Sequence, residues 1–97
     1  MITARVHKYG REIVVAACDK DLIGKVLRDG DLRLEVSSCF YEGEDVDEEK
    51  LLNRLSLATI ANLVGKRTVS IAAKHNYINE DCVLTIAGVP HAQMVKI

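Results

Sequence analysis

The sequence predicts a single α+β domain in which one mixed, mostly antiparallel sheet carries helices packed on one face, in the order β-β-α-β-α-α-β-β. Three observations predict it. Apolar residues alternate with period two near both ends and over residues 31–36, helical spacing fills the stretches between, and no segment repeats. A length of 97 residues holds one core, because pieces below about 50 residues rarely fold alone. With 48% hydrophobic and 28% charged residues and one proline, the composition is that of an ordered globule rather than a disordered chain.

Ile2, Ala4 and Val6 alternate with Thr3, Arg5 and His7, the period of a half-buried strand. Lys8-Tyr9-Gly10-Arg11 supplies a glycine-bearing turn, and residues 12–17 are rich in β-branched types, so the two runs read as a β-hairpin. The second run is apolar on both faces and belongs inside the sheet. Leu22, Ile23, Val26 and Leu27 then fall on one stripe of a short helix, with Asp19 as N-cap and Gly30 past its end. Leu32, Leu34 and Val36 share a face of a third strand, and residues 37–45 form a loop carrying Phe40, Tyr41 and Gly43.

Asp45-Val46-Asp47-Glu48 has the acid-x-x-Glu form of a capping box and opens a helix over 47–64. Leu51, Leu52, Leu55 and Ala58 bury one side of it, Leu57, Ile60 and Leu63 extend the stripe, and Gly65 ends it. A second helix over 67–76 packs through Val69, Ala72 and Ala73 and ends at Asn76. Residues 82–87 form a fourth strand, Gly88-Val89-Pro90-His91 a turn, and 92–97 the last strand.

The longest apolar run, Ile13 to Cys18, has six residues, far short of the roughly 20 that span a bilayer, and the first residues lack the apolar stretch of a signal peptide. A net charge of −1 disfavours collection of polyanions by a long-range field. Acids crowd 42–49, where they complement the dipole of the following helix. Lys66, Arg67 and Lys74 form the one basic segment that could touch RNA phosphates, or simply a solvated helix face. With one Phe, three Tyr and no Trp, a stacking platform for single strands is poorly supplied.

Three cysteines with no C-x-x-C pair predict reduced thiols in a cytoplasm, with Cys39 and Cys82 as core fillers. These thiols and His7, His75 or His91 lack clustered ligand spacing, so no metal and no cofactor is expected. Cys18 stands where a strand hands over to a helix, a position that lowers a thiol pKa, while Asp19 and Asp21 oppose that shift. Asn62 lies on a face otherwise committed to the core; it either braces the turn at Gly65 or meets a ligand. Gly88 to Gln93 gathers Pro90, His91 and Gln93, which read equally as a functional loop and as ordinary turn chemistry. No P-loop, G-x-G-x-x-G, H-E-x-x-H, G-x-S-x-G or EF-hand spacing occurs.

Val15-Ala16-Ala17-Cys18-Asp19, Leu22 to Gly30, Phe40-Tyr41-Glu42-Gly43, Ala61-Asn62-Leu63-Val64-Gly65 and Gly88-Val89-Pro90-His91-Ala92-Gln93 are the stretches in which the chain resembles a small archaeal family, domain of unknown function 424, over essentially its full length. Val26-Leu27 departs from it where a phenylalanine stands in the family. The resemblance implies an archaeal, cytoplasmic protein of one domain and no particular activity. A loose association of the family with translation genes implies a binding role, with a protein or RNA of the translation apparatus as partner. Asp19, Tyr41, Asn62, Pro90, His91 and Gln93 are the expected binding positions. A small enzyme using Cys18 and His91, with Asn62 or Gln93 as polar orienters, is one alternative. A homodimer closed through the end strand or the second strand is another.

Overall fold

The computed structural model describes residues 1–96. Ile2–Tyr9 (β1) and Glu12–Asp19 (β2) form the expected hairpin, paired from Ile2 opposite Asp19 to Tyr9 opposite Glu12. Gly10, at φ +60°, supplies the left-handed residue of the turn. Around this hairpin a six-stranded sheet is built from Glu44–Val46 (β5), Ile60–Val64 (β6), Leu84–Ile86 (β7) and Val89–Val95 (β8), in the order β5-β1-β2-β6-β8-β7. Only β2 and β6 run parallel; every other pair is antiparallel. Val26–Asp29 (β3) and Leu32–Glu35 (β4) make a separate two-stranded hairpin. The mixed α+β architecture is that predicted, although several elements differ.

The stretch read as the first helix is a single 3-10 turn, Lys20–Leu22, followed by β3. Gly24 interrupts it at φ +86°, donates its N–H to the Val36 carbonyl at 2.7 Å, and so starts strand pairing. Gly30 is accordingly the turn of the β3–β4 hairpin and not a helix end. The loop of residues 37–45 contains one helical turn, Ser38–Tyr41 (α1), and strand β5.

The long helix is divided. Glu48–Leu57 (α2) starts at Asp47, whose side chain accepts from the Lys50 N–H at 2.8 Å, so the cap is Asp47 and not the Asp45–Glu48 box. Beyond Ala58 the chain enters β6, because Thr59 binds β2: its N–H donates to the Ile13 carbonyl, and its hydroxyl oxygen accepts from the Ile13 N–H at 2.9 Å. Lys66–Lys74 (α3) follows and closes as predicted at Asn76, in left-handed backbone at φ 63°. There Tyr77 N–H reaches Ala72 and Asn76 N–H reaches Ala73, the paired bonds of a Schellman closure. Ala87 and Gly88, both at positive φ, are the β7–β8 turn, so Pro90 and His91 lie within a strand. The predicted final strand reaches Ile97, which lies outside the described residues.

Side-chain alternation splits the core in two. On the first face Ile2, Val15, Ala61, Leu63 and Met94 are covered by α2 through Leu51 and Leu55 and by α3 through Val69 and Ala72. Leu51 and Leu55 are fully buried, each worth about 1.5–3 kcal/mol of apolar transfer. On the second face Ala16, Cys18 and Val64 lie beneath Leu22, Leu27, Val36 and Tyr41, so this half is covered by the β3–β4 hairpin and α1. Of the two strands expected to pair with a second copy, β2 lies between β1 and β6, whereas β8 meets β7 only from Val89 to His91, so the β7-facing edge of Ala92 to Val95 pairs with no strand among the described residues.

Candidate functional site

Register places the polar residues singled out from the sequence. Cys18, Val64 and His91 form one row across β2, β6 and β8, and Ala16, Asn62 and Gln93 form the next. All six point to the second face. The β3–β4 hairpin covers Val64 and reaches Ile86 of β7, while farther along β6 and β8 Asn62 and His91 are half-buried and Gln93 is exposed. The Gln93 side-chain N–H donates to the Asn62 amide oxygen at 2.9 Å, a cross-strand bond that uses one donor and one acceptor and leaves the other amide groups open. His91 lies diagonal to this pair, and burial lowers its pKa, so the imidazole is neutral at pH 7. Exposed Val95 and Leu84 flank the group, and a shallow groove of about 260 Å³ runs past His91, Gln93, Leu84 and Cys82.

Cys18 is brought to the same face but not into contact with His91. Val64 stands between them, and two strand spacings amount to about 10 Å. The thiol is fully buried and pushed up to about 12, first by desolvation and then by Asp19, Asp21 and Glu42. Tyr41, also buried, packs in the same core with its phenol pushed up to about 12 by desolvation. Cys39 and Cys82 are exposed rather than core fillers. No group of three or more metal-ligating side chains occurs among the described residues.

Asp19 does not cap the segment after it. Its carboxylate turns to α3, where Oδ1 accepts from the Thr68 N–H at 2.9 Å and the Thr68 hydroxyl at 2.8 Å, and Oδ2 accepts from the Arg67 N–H at 3.1 Å. The helix N-terminus attracts anions, and the chain fills it with its own carboxylate. Gly65, at φ +110°, makes room, since a Cβ there would run into that carboxylate. Its N–H donates to the Pro90 carbonyl at 2.9 Å, which is the role of Pro90 in the strand. Lys66 and Arg67 are exposed at this end, while Lys74 lies eight residues on, about 12 Å along the axis. Lys74 also stands 3.5 Å from Glu48, which accepts from His75 as well, so the three cations do not form one cluster.

One group escaped the sequence reading. Phe40 stacks on His7 at 4.9 Å and 17°, and His7 on Tyr9 at 6.0 Å and 9°; Tyr41 meets the edge of this column at 5.0 Å and 88°. His7 Nε2 donates to the Phe40 carbonyl at 2.8 Å and holds the imidazole in register. The alternation Arg5, His7, Tyr9 carried a signal for a shared face, but Phe40 arrives from 33 residues away.

The chain is similar over 99% of its length to 94% of an uncharacterized conserved protein from Methanopyrus kandleri whose crystal structure is solved, with a TM-score of 0.81 and 23% identity. That likeness concerns the fold. No curated protein matches the chain. The profile of the family described as "Protein of unknown function (DUF424)" matches residues 7–97, which agrees with the resemblance seen in the motifs, and the chain belongs to that family.

Proposed function

We propose that the protein is a non-enzymatic binding module that engages a component of the translation apparatus through the open half of its second sheet face. The observation that carries this reading is the Asn62–Gln93 amide pair beside His91: polar groups with unused hydrogen-bonding capacity, flanked by exposed Val95 and Leu84, on a face the fold leaves uncovered. Mixed polar and apolar surface of this kind suits recognition. The neutral, buried thiol of Cys18, separated from His91 by Val64, supports a role without covalent chemistry. Three free cysteines, two of them exposed, support a reducing cytoplasm. No helix among the described residues is long and apolar enough to cross a membrane.

The test is capture from a lysate of the source organism with tagged protein, with and without nuclease, using Gln93→Lys and Val95→Glu beside the parent and Asn53→Lys on α2 as control. Ribosomal or initiation-factor components held by the parent and the control, and lost by both face variants, support the reading. Capture that the face variants leave unchanged overturns it.

A further inference from the structure

Residues 5–11 carry Arg5, Lys8 and Arg11 and no acid, a local charge of +3 in a chain of net −1. None of these cations makes an ion pair among the described residues. The acids of β5 lie toward the other end of β1: Glu44 pairs opposite Ala4, five residues and about 17 Å from Tyr9. That separation exceeds the screening length of about 8 Å at physiological salt for Lys8 and Arg11, which flank Tyr9, whereas Arg5 lies next to Ala4 and nearer those acids. Glu12, opposite Tyr9, keeps its negative charge while it accepts from the Thr59 hydroxyl at 2.6 Å, so residues 5–12 carry a net +2.

The same end holds the aromatic column. The chain has only one Phe and three Tyr, yet Phe40, His7 and Tyr9 stack here with Tyr41 edge-on to Phe40, so most of its few aromatic rings gather at one end. The column is anchored at Phe40 by the His7 hydrogen bond and is open at Tyr9, which is 59% exposed. A preordered ring with a free face beside unpaired cations is the combination that takes a stacked base and its phosphates.

We propose that this end of the second face binds single-stranded nucleic acid, with a base stacked on Tyr9 to extend the Phe40–His7–Tyr9 column, with Arg11 on the adjoining phosphate and with Arg5, about 13 Å along β1, on a phosphate farther down the strand. The inference rests on the binding-module reading in its use of the uncovered sheet face, and it names the ligand class for residues separate from Asn62 and Gln93. Uridine and thymidine strands offer the same stacking and phosphate chemistry, so both are probes.

The experiment is fluorescence anisotropy with labelled oligo-uridine RNA and oligo-thymidine DNA of about ten nucleotides, titrated with the full chain at about 50 and 200 mM salt. Binding of either strand is expected to weaken about tenfold between the two salts, the change for two to three phosphate contacts on a single strand. Tyr9→Ala is expected to weaken it about ten- to a hundredfold and Tyr9→Phe to leave it near parental. Arg5→Gln with Arg11→Gln is expected to flatten the salt dependence. The tighter of the two strands identifies the source. Circular dichroism melts check that each variant folds, as substitution at exposed residues of the hairpin allows. Absence of any anisotropy change up to about 100 μM protein at the lower salt, or parental affinity in Tyr9→Ala, overturns the inference. If oligonucleotides stay unbound while Gln93-dependent capture of a protein persists, this inference fails and the binding-module reading stands.

Discussion

The carboxylate of Asp19, at the end of β2, holds the first turn of α3 through the N–H and hydroxyl of Thr68, 49 residues away. Strand and helix meet at this point, so the bonds fix how the covering layer sits on the sheet. Asp19→Ala leaves the α3 N–H groups without that acceptor and is expected to cost about 1–3 kcal/mol, the range for a lost charge-assisted cap. Thr68→Val removes the hydroxyl alone and should cost less. Urea denaturation of both variants measures the two losses, and equal values would remove the special role of the backbone bonds.

Gly65 is coupled to that carboxylate by space. Gly65→Ala places a methyl group against Asp19 and forces φ +110° on a residue with a Cβ. The expected destabilisation exceeds about 2 kcal/mol. In an Asp19→Ala background the steric part disappears, so the two substitutions should combine to less than their sum. A double-mutant cycle by thermal or urea denaturation reads this directly, and strict additivity would contradict it.

Much of this architecture was legible locally, and the exceptions share a cause. The β1–β2 hairpin and α3 follow from alternation, Gly10 and the Asn76 closure, all signals carried within a few residues. Leu22, Ile23, Val26 and Leu27 fit helical spacing equally well, and what decides against the helix is pairing of Gly24 with Val36. In β6, helical and extended readings both bury Leu63; Thr59 settles the matter by bonding Ile13, 46 residues away. Asp19 has the local sequence of a cap, while its partner Thr68 is 49 residues away. In the site, Asn62, His91 and Gln93 stood out as polar residues in apolar or turn-like company, whereas the aromatic column required Phe40 to arrive from another element.

Cys18 supplies a prediction in pH. Its folded pKa of about 12 lies above the usual thiol value near 8.5, so the neutral thiol favours the folded state. That contribution is complete below the unfolded pKa and is lost as pH rises through about 9 toward 12. Tyr41 acts in the same sense from about 10 upward. Stability should therefore fall steadily on the alkaline side, and Cys18→Ala should reduce the slope. At neutral pH an alkylating reagent should modify Cys39 and Cys82 and spare Cys18 until the protein unfolds, as peptide mass mapping can establish.

His91 gives the opposite limb. Burial lowers its pKa below the usual 6.5, so the unfolded chain takes a proton before the folded one does. Its contribution to stability is full above pH about 6.5 and is lost as pH falls from there toward the folded pKa. His91→Gln should remove this part of the acid dependence, and the His91 ring resonance should titrate below pH 6.5 in the parent. A resonance that titrates above that value would reverse the sign of the effect.

The Asn62–Gln93 pair separates structural from functional use of the open face. Its one side-chain bond is solvent-exposed, so Asn62→Ala and Gln93→Ala should each change stability by no more than about 1 kcal/mol. Their coupling in a double-mutant cycle should be a few tenths of a kcal/mol, the scale of a cross-strand polar pair. A binding surface can lose such a pair with little cost to the fold and a large cost to recognition, because a buried interface leaves the remaining amide unsatisfied. Capture by the alanine variants should thus drop while their denaturation midpoints stay near parental. Losses of about 2 kcal/mol or more in either single variant would instead make the pair a brace for β6 and β8, and the case for recognition through this row would lose its main support.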